Sequence, residues 1–218
     1  MGTPQFAVAI LDALVQSDVE VVAVVSQPDK KVGRKQILQA TPVKEKALNL
    51  GIPVLQPEKI KESLEDLKVL DLDLIVTCAY GQFIPESILN TPRFGSVNIH
   101  ASLLPKYRGG APIHKAIING ETESGITIMR MVKKMDAGDI TFQESCPISE
   151  EDDFGALHDR LQILGSEMIL KYLSELFTPD LKTIPQDESL VTFSYNITSE
   201  EEFVNFNNSM RNVLNHIR

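Results

Sequence analysis

Val19-Glu20-Val21-Val22-Ala23-Val24-Val25 is apolar on both faces of an extended chain, the pattern of a strand covered by helices on either side of a sheet. Leu72 to Ala79 repeats it. Upstream, Thr3 is placed to cap a helix whose first residue is Pro4 and which buries Ile10, Ala13 and Leu14. Downstream, Thr41-Pro42 opens a second helix in the same way, ending near Gly51, and Ile52 to Leu55 makes a short strand. Val97 to His100 reads as the next strand and Pro112 to Ile118 as a helix stopped by Asn119-Gly120. Gly125 to Val132 and Ile140 to Cys146 read as paired strands. From Asp153 to Phe177, Leu157, Leu161, Leu164, Met168 and Leu176 recur at helical spacing and predict a core-packing helix; Met210 to Arg218 predicts another. This alternation predicts an α/β, doubly wound, mostly parallel open sheet of Rossmann-like form, in which ligands bind beyond the carboxyl ends of the strands.

With 218 residues and 43% hydrophobic content, there is room for one large domain and a short tail. Cys78 and Cys146 each sit in an apolar run, which predicts buried, unpaired thiols and a reducing compartment. Phe6 to Val15 is apolar, but Asp12 interrupts it and no basic segment precedes it, so an amphipathic helix is expected there and a cytoplasmic location follows. No run approaches membrane-spanning length. Neither a Gly-x-Gly-x-x-Gly turn nor a phosphate-binding lysine loop is present, and a nucleotide cofactor has no support.

Candidate chemistry lies in Ser96-Val97-Asn98-Ile99-His100, where Val97 and Ile99 alternate with two polar residues that share a strand face. Asp136 follows 38 positions after Asn98, in the turn Met135-Asp136-Ala137-Gly138-Asp139. An amide donor, an imidazole and a carboxylate aimed at one point suit a reaction in which charge develops on a carbonyl oxygen while a nucleophile sheds a proton. Acyl transfer fits, and Ser102 is the one nearby hydroxyl nucleophile, so direct transfer between two bound substrates is favoured over a covalent intermediate. Each residue alone also fits a plain structural role at a strand end or turn; the combination points to a site.

Asn98-x-His100, Ser102-Leu103-Leu104-Pro105 and Asp136-Ala137-Gly138 together resemble the active site of the tetrahydrofolate-dependent formyltransferases. Further segments resemble the branch acting on methionyl-tRNA: Gly2-Thr3-Pro4-Gln5-Phe6, Gln27-Pro28-Asp29, Thr41-Pro42-Val43-Lys44, Ala79-Tyr80-Gly81-Gln82, Arg108-Gly109-Gly110-Ala111-Pro112 and Pro185-Gln186-Asp187-Glu188-Ser189. The resemblance implies the Rossmann-like formyltransferase fold and transfer of formyl from 10-formyltetrahydrofolate, without a metal, to the α-amino group of methionine on initiator methionyl-tRNA. It assigns catalysis to Asn98, His100 and Asp136, and the folate site to Ser102, Leu103, Leu104, Pro105, Tyr80, Gly81, Gln82 and Ile84. It further implies a catalytic domain over residues 1–180 and a linker over 181–218 leading to a tRNA-binding domain outside this chain. A central strand of the family before Gly2 is also outside it. A monomer is expected.

Net charge is −9, unusual for a chain that meets nucleic acid. The charge is uneven, because Pro28 to Lys46 carries a local +4 from Lys30, Lys31, Arg34, Lys35, Lys44 and Lys46 against Asp29 and Glu45. With the resemblance, Lys31, Arg34 and Lys35 are expected to contact tRNA phosphates. Arg130, Lys133, Lys134 and Asn196 depart from the family pattern, the first three around Asp136. Two alternatives stay open: a sugar-nucleotide N-formyltransferase, and a non-catalytic folate- or RNA-binding remnant.

Overall fold

A computed structural model describes residues 1–218. In chain order the elements are α1 Gln5–Gln16, β1 Val24–Val25, β2 Lys30–Val32, β3 Ile37–Gln39, α2 Pro42–Asn49, β4 Val54–Leu55, α3 Leu64–Val69, β5 Ile75–Thr77, α4 Glu86–Leu89, β6 Ser96–His100, α5 Pro112–Ile118, β7 Glu123–Arg130, β8 Ile140–Pro147, α6 Phe154–Leu176 and α7 Met210–Ile217. The main sheet has the order β5-β6-β7-β8. β5 and β6 are parallel, with Thr77 opposite Asn98, whereas β6–β7 and β7–β8 are antiparallel. β1 and β4 form a second parallel pair. The first two residues join the two pieces: Gly2 N donates to Val25 O at 3.0 Å, Cys78 N to Met1 O at 2.9 Å, and the Met1 amine to Val76 O at 2.6 Å. The expected α/β sheet is therefore present, parallel through β1, β4, β5 and β6 and antiparallel beyond.

The strand expected over 19–25 is ladder-bonded only at Val24–Val25. Val19, Val21, Val22 and Ala23 are instead half-buried along an open apolar slot of about 740 Å³, faced by Leu72, Leu74 and Val76. The core lies on the other side, where α1 and α6 pack on the sheet. Gly165 of α6 has Ile10, Ile99 and Ile126 within 3.7 Å of where a Cβ would stand, so the helix can approach the sheet closely.

Local signals explain the helix starts. Thr41 Oγ1 accepts from Lys44 N at 3.2 Å with Pro42 in the first turn, as expected; such a cap contributes about 1 kcal/mol. Thr3 behaves differently. α1 begins at Gln5, and the Thr3 hydroxyl donates to Tyr80 O at 2.8 Å, tying the helix start to the loop after β5. At α6 the Asp153 side chain accepts from Ala156 N at 2.8 Å. Its neighbour Asp152 accepts from Arg160 Nη1 and Nη2 at 2.6 and 2.9 Å and from Ser149 N at 2.8 Å. The Arg160 guanidinium holds the Asp152 carboxyl well below the usual carboxylate range. A carboxylate whose pKa is depressed by folding stabilises fully above its unfolded value near 3.9 and loses that contribution as pH falls below it. Asp152→Asn is expected to cost about 1.5–3 kcal/mol at pH 7. The gap from the parent should narrow at pH 3, which paired thermal melts at the two pH values would check.

Beyond residue 180, in the stretch expected to link to a further domain, residues 184–194 pack back on the preceding fold. Ile184 pairs with Ile140 through two backbone bonds of 2.8 and 2.9 Å, Ser194 N donates to Arg108 O at 2.7 Å, and Ala111 N to Ser194 O at 3.0 Å. The edge of β8 and the 105–111 loop carry backbone groups that need partners, and this strap supplies them. Cys78 and Cys146 are buried and free, with burial pushing the Cys78 thiol up to about 12. No helix is long and apolar enough to cross a membrane.

Candidate active site

β6 delivers its side chains as the alternation demands. Val97 and Ile99 are in the core, while Asn98 and His100 face a cavity of about 590 Å³ beyond the ends of β5 and β6. Thr77, opposite Asn98, places its hydroxyl 2.8 Å from Asn98 Oδ1. With the carbonyl end of the amide so occupied, the Nδ2 donor is left for a ligand. His100 Nε2 lies 2.9 Å from the Tyr107 carbonyl, an obligate acceptor, so Nε2 carries a proton. Nδ1 then faces Asp136, with Oδ2 at 3.8 Å.

Asp136 comes from the turn between β7 and β8. Its backbone is left-handed, φ 47°, a conformation that strains a side-chain-bearing residue. Two hydrogen bonds hold it: Oδ2 accepts from Gly109 N at 2.9 Å and its backbone O accepts from Gln186 Nε2 at 2.9 Å; two residues on, Gly138 leaves no room for a Cβ against Arg130 O. Ala79 and Tyr107 also have positive φ, at 46° and 62°, while Gly81 and Gly109 adopt it without a Cβ to strain. The structure thus brings Asn98, His100 and Asp136 to one wall of one cavity.

Residues 1–173 match the protein family described as Formyl transferase. The chain belongs to the formyl transferase family. It is 54% identical to the methionyl-tRNA formyltransferase of Latilactobacillus sakei, over 100% of this chain and 69% of that protein. It is equally identical to that of Staphylococcus epidermidis, over 100% and 71%. The N-formyltransferase of Helicobacter canadensis, solved with folinic acid and dTDP-3-aminofucose, shares the fold at a TM-score of 0.76 and 22% identity, over 100% of this chain and 77% of its own. The resemblance read from the sequence, to the methionyl-tRNA branch, is borne out by the first two.

In this formyltransferase the remaining predicted residues separate into two groups. Tyr80, Gly81, Gln82 and Ile84 line the cavity. Tyr80 is buried, which pushes its phenol up to about 12, and its hydroxyl has no partner. Gln82 is already engaged, its Oε1 accepting from Ile60 N at 2.8 Å. Ser102, Leu103, Leu104 and Pro105 do not line the cavity. Ser102 and Leu104 are buried, the Ser102 hydroxyl donates to Lys106 O at 2.7 Å, and Thr127 Oγ1 donates to Ser102 O at 2.6 Å. The segment shapes the loop that carries Tyr107. Also lining the cavity, His114 stacks on Phe154 at 4.0 Å, and burial with neighbouring His158 and Lys115 holds its imidazole below the ordinary value.

Lys31, Arg34 and Lys35 lie on the exposed β2–β3 hairpin, away from any carboxylate. Lys44 and Lys46, counted with them in the sequence, are paired with Asp29 at 2.7 Å and Asp12 at 2.6 Å. Lys134 is bound to Glu188 at 2.7 Å, while Lys133 stands at the cavity. Arg130 donates to Phe94 O, and Asn196 packs against Gly110. Sequence reasoning gave no role to Thr77, Tyr107, Arg108 or Gln186. Arg108 and Gln186 stood in the motifs that carried the resemblance, but nothing local marks them as partners 78 positions apart.

Proposed function

We propose that this chain transfers the formyl group of 10-formyltetrahydrofolate to the α-amino group of methionine on initiator methionyl-tRNA, a step of translation initiation in the cytoplasm. The observation that carries the chemistry is the convergence of Asn98 Nδ2, His100 Nδ1 and Asp136 Oδ2 on one cavity, with His100 and Asp136 3.8 Å apart. The acceptor is supported by the 54% identity to methionyl-tRNA formyltransferases.

The free amine attacks the formyl carbon, and the carbonyl oxygen becomes an oxyanion. Asn98 Nδ2 and a proton on His100 Nδ1 are the donors for it; losing one such donor typically costs about 100- to 1000-fold. Asp136 takes the proton shed by the nitrogen as the new C–N bond forms. When the bond to the folate nitrogen breaks, that nitrogen receives the proton from the His100–Asp136 pair, leaving formylated amine and tetrahydrofolate. Tyr80, Gly81, Gln82 and Ile84 form the folate wall, where backbone groups of the strand-end loop can pair with the pterin edge. The 102–105 turn acts from beneath.

The test is release of tetrahydrofolate by the purified chain, with charged initiator tRNA, with uncharged tRNA and with a sugar-nucleotide amine. Turnover that needs charged tRNA supports the proposal; turnover on the amino sugar overturns the acceptor, and inactivity of a folded chain with every acceptor overturns the enzyme. The β2–β3 hairpin supplies a second prediction. Replacing Lys31, Arg34 and Lys35 together by Ala should weaken tRNA binding and flatten its dependence on salt by about one unit of log–log slope per lost phosphate contact. An unchanged slope would remove the hairpin from the acceptor site.

A further inference from the structure

Arg108 is completely buried, an expensive place for a guanidinium. Its Nε and Nη2 both donate to Gln186 Oε1, at 3.0 and 2.8 Å, and Nη2 also donates to Glu188 Oε1 at 2.9 Å. The double contact fixes which end of the Gln186 amide is oxygen, so its Nε2 points the other way. There it donates to Asp136 O at 2.9 Å and to Gly138 O at 2.7 Å, the carbonyls on either side of Ala137. Glu188 fastens the same turn a second time through Lys134 Nζ at 2.7 Å. Farther along, the Ser194 hydroxyl donates at 3.0 Å to the Tyr107 carbonyl, the group that receives His100 Nε2 at 2.9 Å.

We infer that Gln186, oriented by Arg108, is a positioning residue for Asp136, and that the 184–194 strap thereby sets the distance between Asp136 and His100. The inference rests on the proposed role of Asp136 as proton acceptor. A side-chain-bearing residue held in the left-handed region is strained and persists only where its surroundings over-determine it. Two hydrogen bonds from one amide nitrogen, to carbonyls two residues apart, do so here. Among natural side chains of this length only the carboxamide can accept from Arg108 at one end and donate twice at the other. Glutamate keeps the shape and the arginine contact but sets an anionic oxygen against two carbonyls; methionine keeps the volume and makes neither contact.

The experiment compares Gln186→Glu and Gln186→Met in single-turnover formyl transfer, alone and combined with Asp136→Asn, with 10-formyltetrahydrofolate binding measured for every variant. The expected result is a loss of about 10- to 100-fold in rate for each single variant, the scale of a misplaced catalytic group. Folate Kd should stay within about twofold of the parent, which also shows the variants fold. In the Asp136→Asn background the same Gln186 changes should have little further effect, because the group they position is gone. A merely structural role would give equal losses in both backgrounds and overturn the inference, as would single variants with the parent rate. Variants too damaged to bind folate overturn it too, since they would place Gln186 in the fold at large. If Asp136→Asn alone keeps the parent rate, it is the reading of Asp136 that fails.

Discussion

Asp136→Asn is expected to lower the formyl-transfer rate by about 100- to 10,000-fold, with the fold and folate binding intact. The substitution is nearly isosteric, and the amide oxygen can still accept from Gly109 N, now 2.9 Å from Oδ2, so the turn keeps its anchor. What is lost is the only acceptor beside His100 able to take a proton from the attacking nitrogen. The variant amide also sets a neutral group in place of a carboxylate 3.8 Å from His100 Nδ1. Single-turnover transfer from 10-formyltetrahydrofolate, read beside a thermal melt, separates these effects from unfolding. A rate within about fivefold of the parent would mean that water, not this carboxylate, receives the proton, because a general base normally contributes far more.

The proposed catalytic wall was legible because it follows from strand geometry: period two sends Val97 and Ile99 into the core and Asn98 and His100 to the cavity. The turn at Asp136 was legible from its glycine, since only a residue without a Cβ can sit against Arg130 O. Less could be read where an element depends on something distant. Val19 to Val25 has a strand's composition throughout, yet only Val24–Val25 pairs, because pairing is decided by the neighbour and not by propensity. The positive charge of residues 28–46 was visible, but which lysines are free was not: Lys44 and Lys46 meet Asp29 and Asp12 only after folding. The 181–218 stretch has the polarity of a linker, and its attachment rests on Gln186, Thr192 and Ser194 meeting a loop some 80 positions earlier in sequence. No periodicity encodes such a contact. Thr3 had a cap's residue type and found a better acceptor in Tyr80 O.

Gly138→Ala is expected to combine a stability loss of about 1–3 kcal/mol with a rate loss of about 100-fold or more. A Cβ at this position would stand 1.7 Å from Arg130 O and 2.7 Å from its carbonyl carbon, both backbone atoms that no rotamer change can move aside. The hydrogen bond from Arg130 N to Asp139 O, 2.9 Å, closes the same turn, so relief requires pushing the end of β7 and the 136–139 segment apart. Asp136 is two residues away and already holds a strained φ, while its partner His100 is fixed from the other side by Tyr107. Separation of the turn from β7 therefore widens the 3.8 Å gap between Nδ1 and Oδ2 with nothing on the histidine side free to follow. Displacement of about 1 Å in a catalytic group is enough for a hundredfold loss. Folate affinity should change little, because Tyr80, Gly81 and Ile84 belong to the loop after β5 and not to the 136–139 turn. Melting temperature, folate Kd and single-turnover rate measured on one preparation would show the three effects together; parent-like rate with lowered stability would mean that the turn relaxes away from the site and that Asp136 has more freedom than its contacts imply.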